Sequence, residues 1–226
     1  MSPMAVDVLS TFGKTLRGII RDRKPKRIIE TGTYLGRGTT TVIASAIRDF
    51  DISLIKFYSL EVNPNYYRSA YIHLRDIGLL GAVTLVNGLS IFRYQLPNKD
   101  KIKERFIDTP WPEDVYIDHN KDMRVNRYFE ETDFPNVPEG MLLNCLEKLD
   151  QSPDLVLLDS GGHVGEIEFD TLITALKKPC IIALDDVFHV KHYNNLNKIN
   201  NDKRFNIIHL SREKFGCCIV KFVPEG

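Results

Sequence analysis

Short apolar runs alternate with longer amphipathic stretches along most of this chain. Arg27–Thr31, Leu54–Glu61 and Val83–Asn87 are apolar and rich in Ile, Leu, Val and aromatic residues, the pattern of buried strands. Between them, Gly38–Phe50 and a stretch from Pro64 to about Ile77 read as helices. Pro64 suits a first helical turn, and Gly78 and Gly81 break the second helix. Ahead of these, Val6–Arg23 sets Val8, Leu9, Phe12, Leu16, Ile19 and Ile20 on one side of an amphipathic helix (about 5–23), which Pro25 ends. The alternation returns later with a helix at Glu139–Leu149, a strand at Asp154–Asp159, a helix at Gly165–Leu176, a strand at Cys180–Asp185 and a helix at Val190–Ile199. Phe205–Leu210 and Cys217–Phe222 close the chain as strands, and their short connection favours antiparallel pairing. The pattern predicts an α/β fold: a mostly parallel seven-stranded sheet with helices on both faces and an antiparallel last strand.

The alternation fails from about 95 to 138. There the chain is polar and proline-rich, yet it carries Trp111, Tyr116, Tyr128, Phe129 and Phe134. Aromatic residues favour an ordered insertion or lid over a disordered loop. In a parallel sheet this insertion falls over the open edge, with Trp111 and Tyr116 as candidate walls of an acceptor pocket. The alternative for Trp111 is a small core of the insertion itself.

A length of 226 residues suits one domain (1–226) with a real core. Acidic and basic residues balance at 30 each, so no global field draws the chain to nucleic acid or an anionic membrane. The basic cluster Arg21–Arg27 reads as a solvated helix end and linker. The start lacks the basic-then-apolar order of a signal peptide, and no run is long and apolar enough to span a bilayer. Cys145, Cys180, Cys217 and Cys218 form no CxxC pair and are expected as reduced core residues, which suits a cytoplasmic protein. The N-terminal helix is a possible homodimer surface.

Candidate chemistry gathers at the strand ends. The first strand runs into Glu30-Thr-Gly-Thr-Tyr-Leu-Gly36-Arg-Gly38 and then a helix, and the second ends in Glu61. That order describes a nucleotide crevice at the carboxyl edge of a parallel sheet, with a carboxylate placed to accept ribose hydroxyls. Glu61 stands 25 residues past Gly36, close to the ~20 of the dinucleotide rule. Yet Gly32, Gly36 and Gly38 spell GxxxGxG rather than GxGxxG, and no GxxxxGK[ST] occurs. A nucleoside cofactor without phosphates fits better than a dinucleotide or a nucleoside triphosphate.

Glu-Thr-Gly-Thr-Tyr-Leu-Gly (30–36), Leu-Glu-Val-Asn-Pro (60–64) and Val-Thr-Leu-Val-Asn-Gly-Leu-Ser (83–90) resemble the first three motifs of class I S-adenosylmethionine-dependent methyltransferases, most closely the catechol O-methyltransferase-like branch. The resemblance covers about 27–90 and 154–187 and leaves out the insertion. It implies a Rossmann-like sheet and S-adenosylmethionine as cofactor. Glu30, Gly32 and Tyr34 would line its methionine part beside the turn glycine Gly36, Glu61 would hold the ribose hydroxyls, and Gly88, Leu89 and Ser90 would meet adenine. Other roles stay open: Glu30 as a strand-end ion pair, Ser90 as a helix cap.

Asp159 ends the fourth strand, and Asp185 and Asp186 end the fifth. Neighbouring termini of a parallel sheet share an edge, so these acids can converge, and their oxygens suit Mg²⁺ or another divalent cation. The resembled family binds a divalent metal with an aspartate and an Asp-Asn pair at these places; Asp186 departs from the asparagine. A structural or substrate-orienting role is the alternative. His163, one glycine turn past Asp159, is the first candidate for general base, with Asp159 beside it in the catalytic set. His189, Lys191 and His192 come second, and a purely hydrogen-bonding His163 stays open. The expected activity is methyl transfer to a hydroxyl of a small molecule with divalent-metal help. The alternatives are a metal-independent enzyme using a histidine base, and a module that binds the cofactor without turnover.

Overall fold

A computed structural model describes residues 8–117, 121–161 and 163–225. Its seven strands are β1 (Arg27–Thr31), β2 (Lys56–Glu61), β3 (Thr84–Asn87), β4 (Leu155–Leu158), β5 (Cys180–Asp185), β6 (Phe205–Ser211) and β7 (Cys217–Phe222). They form one sheet in the order β3-β2-β1-β4-β5-β7-β6. The first five in that order are parallel, and β7 runs antiparallel to both β5 and β6. The expected sheet is therefore present, Rossmann-like in its parallel part.

Alternate strand residues serve two cores. Ile28, Phe57, Leu155, Leu157, Ile181 and Ile219 pack beneath α1 (Thr11–Arg23), α2 (Thr39–Asp49) and Leu74 of α3 (Pro64–Asp76). Ile29, Leu60, Val156, Leu158, Ile182 and Val220 face α6 (Met141–Lys148), α7 (Gly165–Ala175) and α8 (Tyr193–Asn201). Both faces are covered over the central strands, which is why those read as unbroken apolar runs, whereas the edge strand β6 leaves Ile207, Ile208 and Leu210 exposed. The adjacent Cys217 and Cys218 enter opposite cores, and all four cysteines are buried and free. Their burial pushes the Cys217 and Cys218 thiols up to about 12, so they stay protonated and inert.

Local chemistry fixes the element ends. The Ser10 side chain accepts from the Gly13 amide at 3.0 Å, so α1 begins at Thr11 rather than at Val6. Val8 and Leu9 consequently lie outside the helix and exposed, while residues 1–7 fall outside the described part. Phe12, Leu16 and Ile20 are buried, each burial worth roughly 1.5–3 kcal/mol. Lys24 closes α1 in the left-handed conformation just before Pro25. Asn63 caps α3 with Pro64 in its first turn.

The insertion is built. It holds α4 (Lys99–Lys103), a single π-helical turn over Glu104–Asp108, and α5 (Lys121–Thr132). Ile102, Val115 and Tyr128 bury themselves against Val190, with Trp111 and Tyr193 packed around them. Trp111 meets Tyr193 edge-on with ring centroids 5.9 Å apart. Trp111 thus belongs to the insertion's own core, and only Tyr116 of the two proposed walls reaches the cleft described below.

The chain order places the crevice. Successive strands step one way from β1 to β3 and the other way from β4 to β5. The carboxyl ends of β1 and β4 therefore part at a topological switch point, where α/β sheets bind ligands.

Candidate functional site

The turn after β1 is shaped by its hydrogen bonds. Gly32 and Thr33 both donate to the Leu60 carbonyl at 3.0 Å, and Gly36 donates to the Thr33 carbonyl at 2.9 Å. The Tyr34 amide donates to Glu61 Oε2 at 2.6 Å. Four amides of the turn are thus engaged within the protein and are not offered to a pyrophosphate. Gly32 has φ +83°, and a Cβ there would lie 2.2 Å from the Asp159 carbonyl oxygen, so only glycine lets β1 and β4 meet so closely. Gly36 instead packs toward Ala70 of α3 and shapes the turn from behind.

The two glutamates of the motifs do different work. Glu30 is fully buried and takes hydroxyl donors from Thr39 at 2.5 Å, Thr40 at 2.7 Å and Ser59 at 2.5 Å. It ties β1 and β2 to the start of α2 and lies behind the turn, away from the cleft wall. Burial raises its carboxyl to about 7 despite those three hydroxyls. Neither an ion pair nor a cofactor contact describes it. Glu61 lines the cleft. Its Oε2 accepts from Tyr34 N and its Oε1 from Asn63 N at 2.8 Å. A carboxylate has acceptor capacity beyond these bonds. Burial also raises Glu61 to about 7, against the pull of those backbone amides.

The cleft encloses about 1450 Å³ and runs from Gly32, Tyr34 and Glu61 past Gly88, Leu89 and Ser90 to Asp159, Asp186 and Lys191. A Cβ on Gly88 would strike Met141 Cγ at 2.6 Å, so the chain there lies tight on α6. Ser90 caps no helix. It lies near Glu168, a buried carboxyl that Thr31 Oγ1 reaches at 2.9 Å and that burial raises above its ordinary value. Sequence reading missed Glu168, because its place in α7 looks like one polar position among many.

At the far end, ligand atoms of Asp159, Asp185 and Asp186 lie within 4.8 Å of one another. The three strand-end acids do converge. The Lys191 ammonium also stands among them, donating to Asp159 Oδ1 at 2.7 Å and to Asp186 Oδ2 at 2.9 Å. Burial and the two neighbouring acids push Asp185 well above the usual carboxylate range. Three carboxylates suit a hard divalent ion in donor chemistry. Two of them are already committed to a cation of the chain, so the arrangement does not fit such an ion as it stands.

The histidines sort by burial. His163 is 1 % exposed, with Tyr128 and Phe129 beside it and Thr132 Oγ1 3.1 Å from its Nε2. Burial pushes it down to about 4. It fastens the insertion to the loop after β4, and the expectation of a general base there gives way to this structural place. His192 is buried against Asn195 at 2.7 Å. His189 does line the cleft, beside Tyr116 and Phe215. Its Nδ1 accepts from the Lys191 amide at 3.1 Å, which leaves the ring proton on Nε2 in the neutral form.

No sequence-family model matches the chain. Its structure is similar to an O-methyltransferase from Bacillus cereus solved with SAH (S-adenosylhomocysteine), at TM-score 0.58 and 14% identity over 96% of this chain and 83% of that one. It is also similar to TomG from Streptomyces achromogenes, an O-methyltransferase of tomaymycin synthesis solved with SAM (S-adenosylmethionine), at TM-score 0.56 and 14% identity over 100% and 84%. SAH-bound PaMTH1 from Podospora anserina aligns at TM-score 0.51 and 18% identity over 93% and 77%. The fold is a methyltransferase fold. Within that fold the glycine turn and Glu61 form one half of the cleft, and the acids with Lys191 form the other. No helix among the described residues is long and apolar enough to cross a membrane.

Proposed function

We propose that the protein binds S-adenosylmethionine in this cleft and transfers its methyl group to a hydroxyl of a small molecule. The observation that carries this reading is Glu61. Its oxygens take the backbone N–H groups of Tyr34 and Asn63, and the carboxylate lines the cleft with acceptor capacity beyond those two bonds. A vicinal diol such as a ribose matches that pair of acceptors, and the committed turn amides disfavour a pyrophosphate. The cleft volume leaves room for the nucleoside.

When bound, S-adenosylmethionine supplies a methyl group carried on a positively charged sulfur. Tyr34 and Tyr66, edge to face with centroids 4.7 Å apart, put aromatic rings on the cleft wall, where a cation is favoured. Leu89 and Ser90 line the side assigned to adenine. Asp159 presents its carboxylate to the cleft at the end of β4, where it can take the proton of an acceptor hydroxyl. Tyr116 and Phe215 stack at 4.2 Å and give that end a flat apolar wall suited to a planar acceptor. His189, with its Nδ1 engaged, serves as a donor toward the acceptor rather than as a base. Holding acceptor and cofactor side by side supplies much of the rate, up to roughly 7–11 kcal/mol in favourable cases.

Divalent-metal assistance is a second reading, favoured by the proximity of the three acids and opposed by the Lys191 ammonium held between two of them. A cytoplasmic location belongs to the same proposal and accords with four free, buried cysteines. The test is calorimetry of the full chain with SAH and with NAD. One-to-one binding of SAH and none of NAD supports the proposal. Binding of NAD, or no binding of SAH, overturns it.

A further inference from the structure

The resemblance places a divalent ion among Asp159, Asp185 and Asp186, and the structure puts a side chain of the protein there. Lys191 Nζ lies 2.7 Å from Asp159 Oδ1 and 2.9 Å from Asp186 Oδ2, with a side chain only 6 % exposed. We propose that the Lys191 ammonium is the resident cation of this carboxylate cluster, that it excludes a divalent ion, and that it holds the oxygen of the acceptor hydroxyl.

The placement is built into the fold. Asp186 turns the chain with φ +60°, and its carbonyl accepts from the His189 amide at 3.1 Å. His189 Nδ1 then accepts from the Lys191 amide, which folds the segment back toward the acids. Val190, between these two residues, is buried in the core of the insertion beside Ile102, Val115 and Tyr128. Its amide also donates to the Tyr116 carbonyl at 3.3 Å. The insertion therefore fixes the one residue that must be still if Lys191 is to reach the acids. This gives the 95–138 segment a second task besides walling the cleft.

The charges agree with the geometry. Asp159 and Asp186 each hold the ammonium through one oxygen, and Asp185, which the other acids and burial push upward, engages the Asp186 amide through Oδ1 at 3.1 Å. A lysine whose charge is sustained by three acids is a permanent point charge. Asp159, Asp186 and Lys191 all line the cleft, so an acceptor oxygen beside Asp159 also meets the ammonium. A cation at that place favours the anionic form of the hydroxyl without any metal. A divalent ion would have to displace the ammonium or share its two carboxylates against like-charge repulsion.

The role assigned to the acceptor rests on the methyl-transfer reading; the exclusion of a divalent ion does not. The test is titration of the full-length protein with Mn²⁺, followed by electron paramagnetic resonance. Wild type is expected to show no stoichiometric Mn²⁺ site up to about 1 mM, the weak end of protein divalent sites. Lys191→Met removes the charge at similar length and is expected to gain one Mn²⁺ site at least about tenfold tighter, which Asp159→Asn in the same background abolishes. Lys191→Arg keeps the charge and is expected to exclude Mn²⁺ as wild type does. A wild-type site that vanishes with Asp186→Asn overturns the proposal, as does a folded Lys191→Met protein that gains none. If Lys191→Met fails to fold, the wild-type titration and its Asp186→Asn partner still decide. SAH binding on the same samples reports separately on the cofactor reading, because Glu61 and the glycine turn lie at the other half of the cleft.

Discussion

Glu61 binds a diol as a carboxylate, and its burial makes that form costly. The carboxyl is raised to about 7, chiefly by desolvation and with a small push from Glu30, against the amides of Asn63 and Tyr34. One pH unit below that value about one carboxyl in ten is ionised, and the extra cost of binding is ~1.4 kcal/mol, or tenfold in Kd. SAH affinity is therefore expected to rise about tenfold between pH 6 and pH 8, with most of the change below pH 7. Glu30 titrates in the same range but lies behind the turn, so its ionisation moves stability rather than ligand contacts. Glu61→Gln removes the charge and sets an NH₂ group against one of its backbone donors. It is expected to weaken SAH by about 2–4 kcal/mol, roughly 30- to 1000-fold, and to flatten the pH profile. The sign for stability is opposite. A carboxyl raised on folding contributes stability that is full below its unfolded value near 4.5 and is lost as pH rises through about 7. The stability of wild type relative to Glu61→Gln should therefore fall over that window while SAH binding improves. Isothermal calorimetry and urea unfolding at matched pH values measure both. A wild-type Kd that does not change with pH, or a Gln variant that keeps the slope, refutes this assignment.

Further outcomes test other parts of the site. Gly32→Ala places a Cβ 2.2 Å from the Asp159 carbonyl at φ +83°, so urea unfolding should show a loss of about 3 kcal/mol; a loss under 1 kcal/mol would mean that β1 and β4 are not held this closely. His163 is depressed to about 4, so its ring should stay neutral in ¹⁵N NMR titration until the pH nears that value, and a midpoint near 6.5 contradicts its burial. Because the unfolded ring takes up a proton first, His163 costs stability as pH falls from 6.5 toward 4, by up to about 3 kcal/mol. Phe215→Ala removes half of the stacked wall with Tyr116 and should raise KM for the acceptor several-fold while leaving SAH affinity unchanged; equal losses in both would place Phe215 on the cofactor side. Ile102→Ala should cost about 2–5 kcal/mol within the insertion and speed proteolysis between 95 and 138, and unchanged cleavage would mean that this small core does not hold the segment.

Much of the sheet was legible because burial on both faces leaves a local mark. β1, β5 and β7 begin and end where their apolar runs do, and the Cys217-Cys218 pair, puzzling alone, is what a strand between two cores allows. The start of α1 was misread since Val8 and Leu9 carry the right spacing, while the deciding signal is the Ser10 cap. Glu61 and the converging acids were legible from their places at strand ends. Glu30 was expected at the methionine part of the cofactor, but it lies level with Ser59, short of the strand ends, where Thr39, Thr40 and Ser59 claim it. His163 and Lys191 were named as candidates, but their surroundings were out of reach for a different reason. Both sit in irregular loops whose side-chain directions are set by the docking of the insertion, through Tyr128 and Thr132 in one case and Val190 in the other. No local pattern encodes that contact.

The most direct measurement is a crystal structure of the protein with SAH bound. The ribose hydroxyls are predicted on the two oxygens of Glu61, the adenine beside Leu89 and Ser90, and the sulfur on the side of the cleft that leads to Asp159. Adenosine density away from Glu61, or Glu61 turned from an occupied cleft, would contradict the assignment of this site.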